Sequence, residues 1–108
     1  MKLQAETYLT ACGIDGLPRK NKLTGWQILP VTESQKKKLW DLGLGYSQVK
    51  YQGQANFLFD VFVIRKAAGM ASPKQLAILI ERGYSIKTLC KLSSRSASKR
   101  IGSGLRPV

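Results

Sequence analysis

Residues 72–83, SPKQLAILIERG, carry both ends of a helix in their own letters, and residues 32–43, TESQKKKLWDLG, repeat the pattern. In each copy a hydroxyl residue, Thr32 or Ser72, is followed at capping-box spacing by Gln35 or Gln75. The hydroxyl accepts from the N3 amide while the glutamine reaches back to the cap amide, so orphan donors at the helix start find partners. Pro73 falls at the first helical position, where a missing N–H costs nothing. Both copies end on a glycine, Gly43 or Gly83, the residue suited to the left-handed C′ position. Between these marks Leu39 matches Leu79, Trp40 matches Ile80 and Asp41 matches Glu81. On this pattern, losing the Ser72 hydroxyl is expected to destabilise more than losing the Gln75 amide.

The similarity continues past the glycines. Omitting Leu44 and Gly45 aligns Tyr46-Ser47 with Tyr84-Ser85, and Ala55 and Ala97 each open a second helical stretch. A period of about forty residues marks a repeat and fixes the architecture before any other assignment. The chain reads as a mainly α, small single domain of two related units, each a helix, an extended loop and a second helix. The first occupies 31–68 and the second 71–108, with 1–30 as an N-terminal helix and basic loop. The last residues, GSGLRPV, lack periodicity and are expected to fray.

The stretch RKAAGMASPKQ, residues 65–75, with LAILIERGYS, an alanine-bearing helix and a closing GLRP, resembles a tail at the C-terminus of many DEAD/DEAH-box helicase-like proteins of phage, plasmids and bacteria. That tail carries tandem units with a T/S-P/E-K-Q start and a leucine-glycine stop. The likeness spans roughly 31–107. Ser34 stands where lysine is usual, and no motor motif lies ahead of the units in these 108 residues. The resemblance implies an accessory grip on nucleic acid and a helicase or other large nucleic-acid enzyme as partner. It does not bring ATPase chemistry.

Charge points the same way. Eighteen Lys and Arg against six Asp and Glu give +12, and residues 61–108 hold ten basic residues and one acid, Glu81. Such a field favours polyanions, of which phosphate backbones are the commonest in a cytosol. A solubilising surface or an acidic protein partner is the alternative. Because the excess lies late in the chain, Lys2 is expected to contribute little. The apolar run at 57–64 is broken by Asp60 and falls short of the ~20 residues a membrane span needs, so no membrane is expected and the cytoplasm is the expected location. Cys12 and Cys90 lack framework spacing and read as buried free thiols.

In chain order, Leu3, Ala5, Tyr8, Leu9 and Cys12 fall on one helical face that Gly13 stops. Residues 13–23 form a loop carrying Arg19, Lys20 and Lys22. Residues 26–29 read as a short extended segment, with Trp26 either stacking on a base or plugging the core. Lys36, Lys37 and Lys38 cannot share one narrow face, since helical neighbours stand about 100° apart. At least one should flank any ligand, and the others either touch phosphate or are solvated. Leu39, Leu42 and Gln35 mark the inner side, with Trp40 at its margin.

Residues 48–66 are rich in β-formers, which suggests a hairpin turning at Gly53. The repeat argues instead for a loop to Gly53 and a core helix from about Gln54 to Ala68, with Ala55, Leu58, Phe59, Phe62 and Arg65 on one stripe. We take the helix. In the second unit Ile86, Leu89 and Leu92 anchor the loop, and Ser93 or Ser94 caps a last helix. There Ala97 and Ile101 face inward and Arg95, Ser98 and Lys99 outward.

Catalytic chemistry finds little material. Without histidine there is no Ser-His or Cys-His pair and no histidine metal ligand, and no GxxxxGK[ST] loop occurs. A Ser-Lys dyad is left open, though the serines of the basic tail read as caps. We expect no enzyme, no cofactor and no metal. The expected function is an accessory in replication, recombination or helicase work, bound to phosphate backbones with weak sequence preference, DNA favoured over RNA. The candidate contacts are Arg19, Lys20, Lys22, Lys36, Lys37, Lys74, Arg82, Lys87 and Lys91, with Arg95, Lys99 and Arg100 as a phosphate clamp. The alternative is an adaptor whose apolar repeats dock on a larger enzyme.

Overall fold

The computed structural model describes residues 2–103 and runs β1 (Leu3–Gln4), α1 (Ala5–Ala11), α2 (Glu33–Asp41), β2 (Leu44–Gly45), α3 (Gln52–Ala67), α4 (Pro73–Glu81) and α5 (Ser94–Ser103). Both capping boxes form. Thr32 Oγ1 accepts from the Gln35 amide at 3.1 Å and Gln35 Oε1 from the Thr32 amide at 3.0 Å; the Ser72–Gln75 pair repeats this at 3.2 and 2.9 Å. Both helices stop where glycine turns left-handed, with φ of 96° at Gly43 and 97° at Gly83.

One backbone device closes each unit. Antiparallel bridges join Pro30 to Tyr51 and Met70 to Ser93. Beside them the Val31 amide donates to the Lys50 carbonyl at 3.0 Å and the Ala71 amide to the Leu92 carbonyl at 3.1 Å. On the return strand Gln52 donates to Leu29 at 2.9 Å and Ser94 to Gly69 at 2.8 Å. α2 then packs on α3 as α4 packs on α5, and Leu39 and Leu79 are both fully buried. The chain is a mainly helical small domain of two related units.

Leu44 and Gly45 are not an insertion to be set aside. Leu44 is the buried residue after Gly43 as Tyr84 is after Gly83, whereas Tyr46 is exposed. The helical register thus runs one residue past each glycine, and the extra length lies in the second unit's loop. Leu44 and Gly45 form β2, pairing in parallel with Leu3 and Gln4.

That pairing also corrects the N-terminal helix. The Leu3 amide donates to the Gly43 carbonyl at 3.0 Å, so the first residues extend and α1 starts only at Ala5. Ala5, Tyr8, Leu9 and Ala11 are buried. α1 touches β2 of the first unit and α4 and the 3-10 turn Ile86–Thr88 of the second, and the two units share one core.

Two further expectations give way to tertiary contact. Residues 25–28 form a 3-10 turn rather than an extended segment, with Gln27 Oε1 accepting from the Thr24 amide at 3.1 Å. That turn packs on α3 at Gly53, which lies inside the helix and not in a loop. A Cβ there would come within 2.8 Å of both Gln27 Cβ and Leu23 Cδ2, so glycine permits the close approach. α3 is helical throughout, with Ala55, Leu58 and Val61 buried and Phe59 and Phe62 half-buried. Gln54 fixes its start, accepting from the Lys50 and Tyr51 amides at 2.8 and 3.2 Å and donating to the Pro18 carbonyl at 3.0 Å.

In the second unit Ser93 caps α5 by accepting from the Ser96 amide at 3.1 Å. Leu89 is buried, Ile86 and Leu92 half-buried. Cys12 and Cys90 are free, yet half-buried rather than buried. The stretch expected to fray lies, from residue 104 onward, outside the described residues.

Candidate nucleic-acid interface

The pseudo-symmetry breaks on one helix face. At the register set by the caps, Lys36, Lys37 and Trp40 of α2 correspond to Leu76, Ala77 and Ile80 of α4. Leu76 and Ala77 are buried and Ile80 packs against the core, in a helix that lies on α1 and β1. α2 packs instead on α3 and β2, and on its matching face Lys37 and Trp40 are exposed and Lys36 is half-buried.

On that face Trp40 is 49 % exposed and Tyr46 38 %, their ring centroids 6.1 Å apart and tilted 55°. Lys36 Nζ lies 5.8 Å from the Tyr46 centroid and 3.1 Å from the Glu33 carboxylate. Lys2 Nζ lies 4.7 Å from the Trp40 centroid and donates to the Trp40 carbonyl at 2.7 Å. Glu33, Lys36, Lys37, Trp40 and Tyr46 border a shallow cleft of about 260 Å³. Lys38 points elsewhere, 4.6 Å from the Phe59 ring, and is the flanking member of the triplet.

The other candidate cations are spread over the domain. Arg19 precedes the 3-10 turn Lys20–Lys22, where Lys20 Nζ stands 5.9 Å from the Tyr51 ring. Lys74 is exposed in the first turn of α4, its Cγ close to Gly43. Lys87 and Lys91 lie exposed in the second loop, and Arg95 and Lys99 point outward from α5. Arg82 is engaged within the fold: its Nη1 donates to the Arg100 and Ile101 carbonyls at 3.3 and 2.9 Å, a cation at a helix C-terminus. Arg100 lies 5.6 Å from the Tyr84 ring.

Three residues of the candidate face escaped the sequence. Lys2 was set aside by the late charge excess, Tyr46 served only as a repeat marker, and Trp40 was placed at the margin of the core. The contrast of Lys-Lys-x-x-Trp with Leu-Ala-x-x-Ile at matched positions was the available signal.

A larger cavity, about 340 Å³, lies between Tyr8, Phe62, Arg65 and Met70. The Tyr8 hydroxyl and Arg65 Nε and Nη2 lack hydrogen-bond partners there and are sealed from solvent, while Arg65 Nη1 donates to the Cys90 carbonyl at 3.4 Å. Burial pushes the Tyr8 phenol well up, with the nearby Cys12 thiol adding and Arg65 opposing. Burial raises the Cys12 thiol too, against the pull of Arg65. A thiol held protonated is a poor nucleophile. Among the described residues no group of three or more His, Cys, Asp or Glu is placed to hold a metal, and no helix is long and apolar enough to cross a membrane.

No protein-family model matches the chain, and neither the curated proteins nor the solved structures yield a match.

Proposed function

We propose that the chain is a nucleic-acid-binding accessory protein that grips phosphate backbones with weak sequence preference and works beside a helicase or another replication or recombination enzyme. One observation carries the reading: the exposed Trp40–Tyr46 pair set among Lys2, Lys36 and Lys37, on a face whose counterpart in the second unit is buried. Exposed aromatics beside cations are the usual equipment for holding a strand. The net charge of +12 supports it, since the long-range field gathers polyanions. Arg95 and Lys99 on α5 and the Arg19–Lys22 region extend that field. The helicase association rests on the resemblance of residues 31–107 to the helicase-like tail.

A gel-shift panel of single- and double-stranded DNA and RNA at fixed low salt tests the reading. Shifted complexes that dissolve as salt rises are expected. Absence of any complex at low salt would refute it and favour docking on a protein. A second observation suits that adaptor alternative: Val63 and Ile64 on α3 are 62 % and 68 % exposed. Val63→Lys with Ile64→Lys would abolish protein docking and leave nucleic-acid binding intact.

A further inference from the structure

We infer that the cleft beside Trp40 and Tyr46 seats one unpaired base, which makes single strands the preferred ligand; the inference rests on the nucleic-acid reading above. Two rings tilted 55° with centroids 6.1 Å apart leave no parallel slot for a base to enter between them. A base therefore stacks on the open part of Trp40, with Tyr46 as the flanking wall. At about 260 Å³ the cleft falls below the roughly 300–1,000 Å³ of sites that enclose a small molecule. It is a platform for one flat group. Lys2 already lies over the indole, so a base stacked there completes a cation–ring–base arrangement.

The charges around the cleft suit the backbone of the same nucleotide. Lys37 is exposed at the rim, and the one carboxylate present, Glu33, is held by Lys36 at 3.1 Å, which offsets its repulsion of phosphate. Bases paired in a duplex keep their faces stacked on neighbours and cannot offer one to Trp40. Phosphate contacts alone would not distinguish the two forms. Stacking does.

The test uses the full chain in a Trp26→Phe background, so that Trp40 is its only indole. Oligothymidylate, a duplex of equal length and an abasic oligomer of equal charge are titrated against the fluorescence. The expected result is quenching by oligothymidylate and an affinity about tenfold or more above that for the abasic oligomer and the duplex. Read by the anisotropy of labelled oligomers, since these variants carry no indole, Trp40→Ala should remove that preference while binding of all three persists, and Trp40→Phe should keep most of it. Trp40 is half exposed, so the variants retain the core, and circular dichroism checks this. Equal affinity for all three oligomers, or a preference that survives Trp40→Ala, overturns the inference and leaves phosphate-driven binding standing. Failure of every oligomer to bind refutes the underlying reading instead.

Discussion

Lys2 reaches across the fold to Trp40, donating to its carbonyl at 2.7 Å and lying 4.7 Å from the indole centroid. The ammonium satisfies a carbonyl at the C-terminal end of α2, where a cation suits the helix dipole, and also draws on the ring quadrupole. Lys2→Ala is therefore expected to lower stability by about 0.3–1 kcal/mol. It should also weaken nucleic-acid binding, against the expectation from charge distribution alone. Denaturant midpoints and oligonucleotide affinities read the two effects separately.

Gln75 does more than close its capping box. Its Oε1 accepts from the Ser72 amide at 2.9 Å, and its Nε2 donates to the Ser94 carbonyl at 3.1 Å and to Ser98 Oγ at 2.9 Å, tying α4 to α5. Ser72→Ala should cost about 0.5–2 kcal/mol through the lost cap. Gln75→Ala removes several hydrogen bonds, each worth about 0.5–1.5 kcal/mol net, and should cost more. This reverses the order read from the sequence. Chemical denaturation of both variants checks it.

Gly53→Ala places a methyl 2.8 Å from Gln27 Cβ and Leu23 Cδ2, and 3.2 Å from the Gln27 carbonyl oxygen. Helix propensity would favour alanine by about 1 kcal/mol, but overpacking costs about 1–3 kcal/mol and backbone cannot step aside as a side chain can. A net loss is expected, with the 3-10 turn displaced from α3. A thermal midpoint at or above that of the wild type would show that the contact is slack.

Alkaline pH should loosen the core. Burial raises the Tyr8 phenol above its ordinary 10.0 and the Cys12 thiol above 9.0, so the unfolded chain gives up these protons first. The associated stability is complete below those ordinary values and drains away as pH rises from there through the native values. Tyr8→Phe removes one of the two groups and should flatten the loss. Urea midpoints at about pH 8 and about pH 11 measure the difference.

What was legible in the sequence was local. The Thr32–Gln35 and Ser72–Gln75 boxes and the stops at Gly43 and Gly83 depend on neighbours a few residues away, and all formed where expected. The helical state of residues 57–64 came from the internal repeat, which outweighed the β-propensity of its Phe and Val residues. What was not legible was made by distant partners. Leu3 extends because Gly43 and Leu44 offer it a strand edge, and Gly53 lies inside the helix where the distant 3-10 turn packs close on it. Tyr84 matches Leu44 rather than Tyr46, a choice that burial settles and letters do not. The candidate face shows the same division: Lys36 and Lys37 could be named from sequence, while Lys2 and Tyr46 joined them only through folding.

The most direct measurement is the affinity of a labelled single strand across a range of salt concentrations. The expected result is a linear fall of log affinity with log salt, with the slope shallower by about 0.7 for each of Lys2, Lys36 and Lys37 replaced by alanine that had neutralised a phosphate. Lys37, exposed and beside the cleft, should show this most clearly, with the fold unchanged by circular dichroism. A wild-type chain that binds no strand at low salt, or a slope that none of these replacements alters, would contradict the assignment of this face.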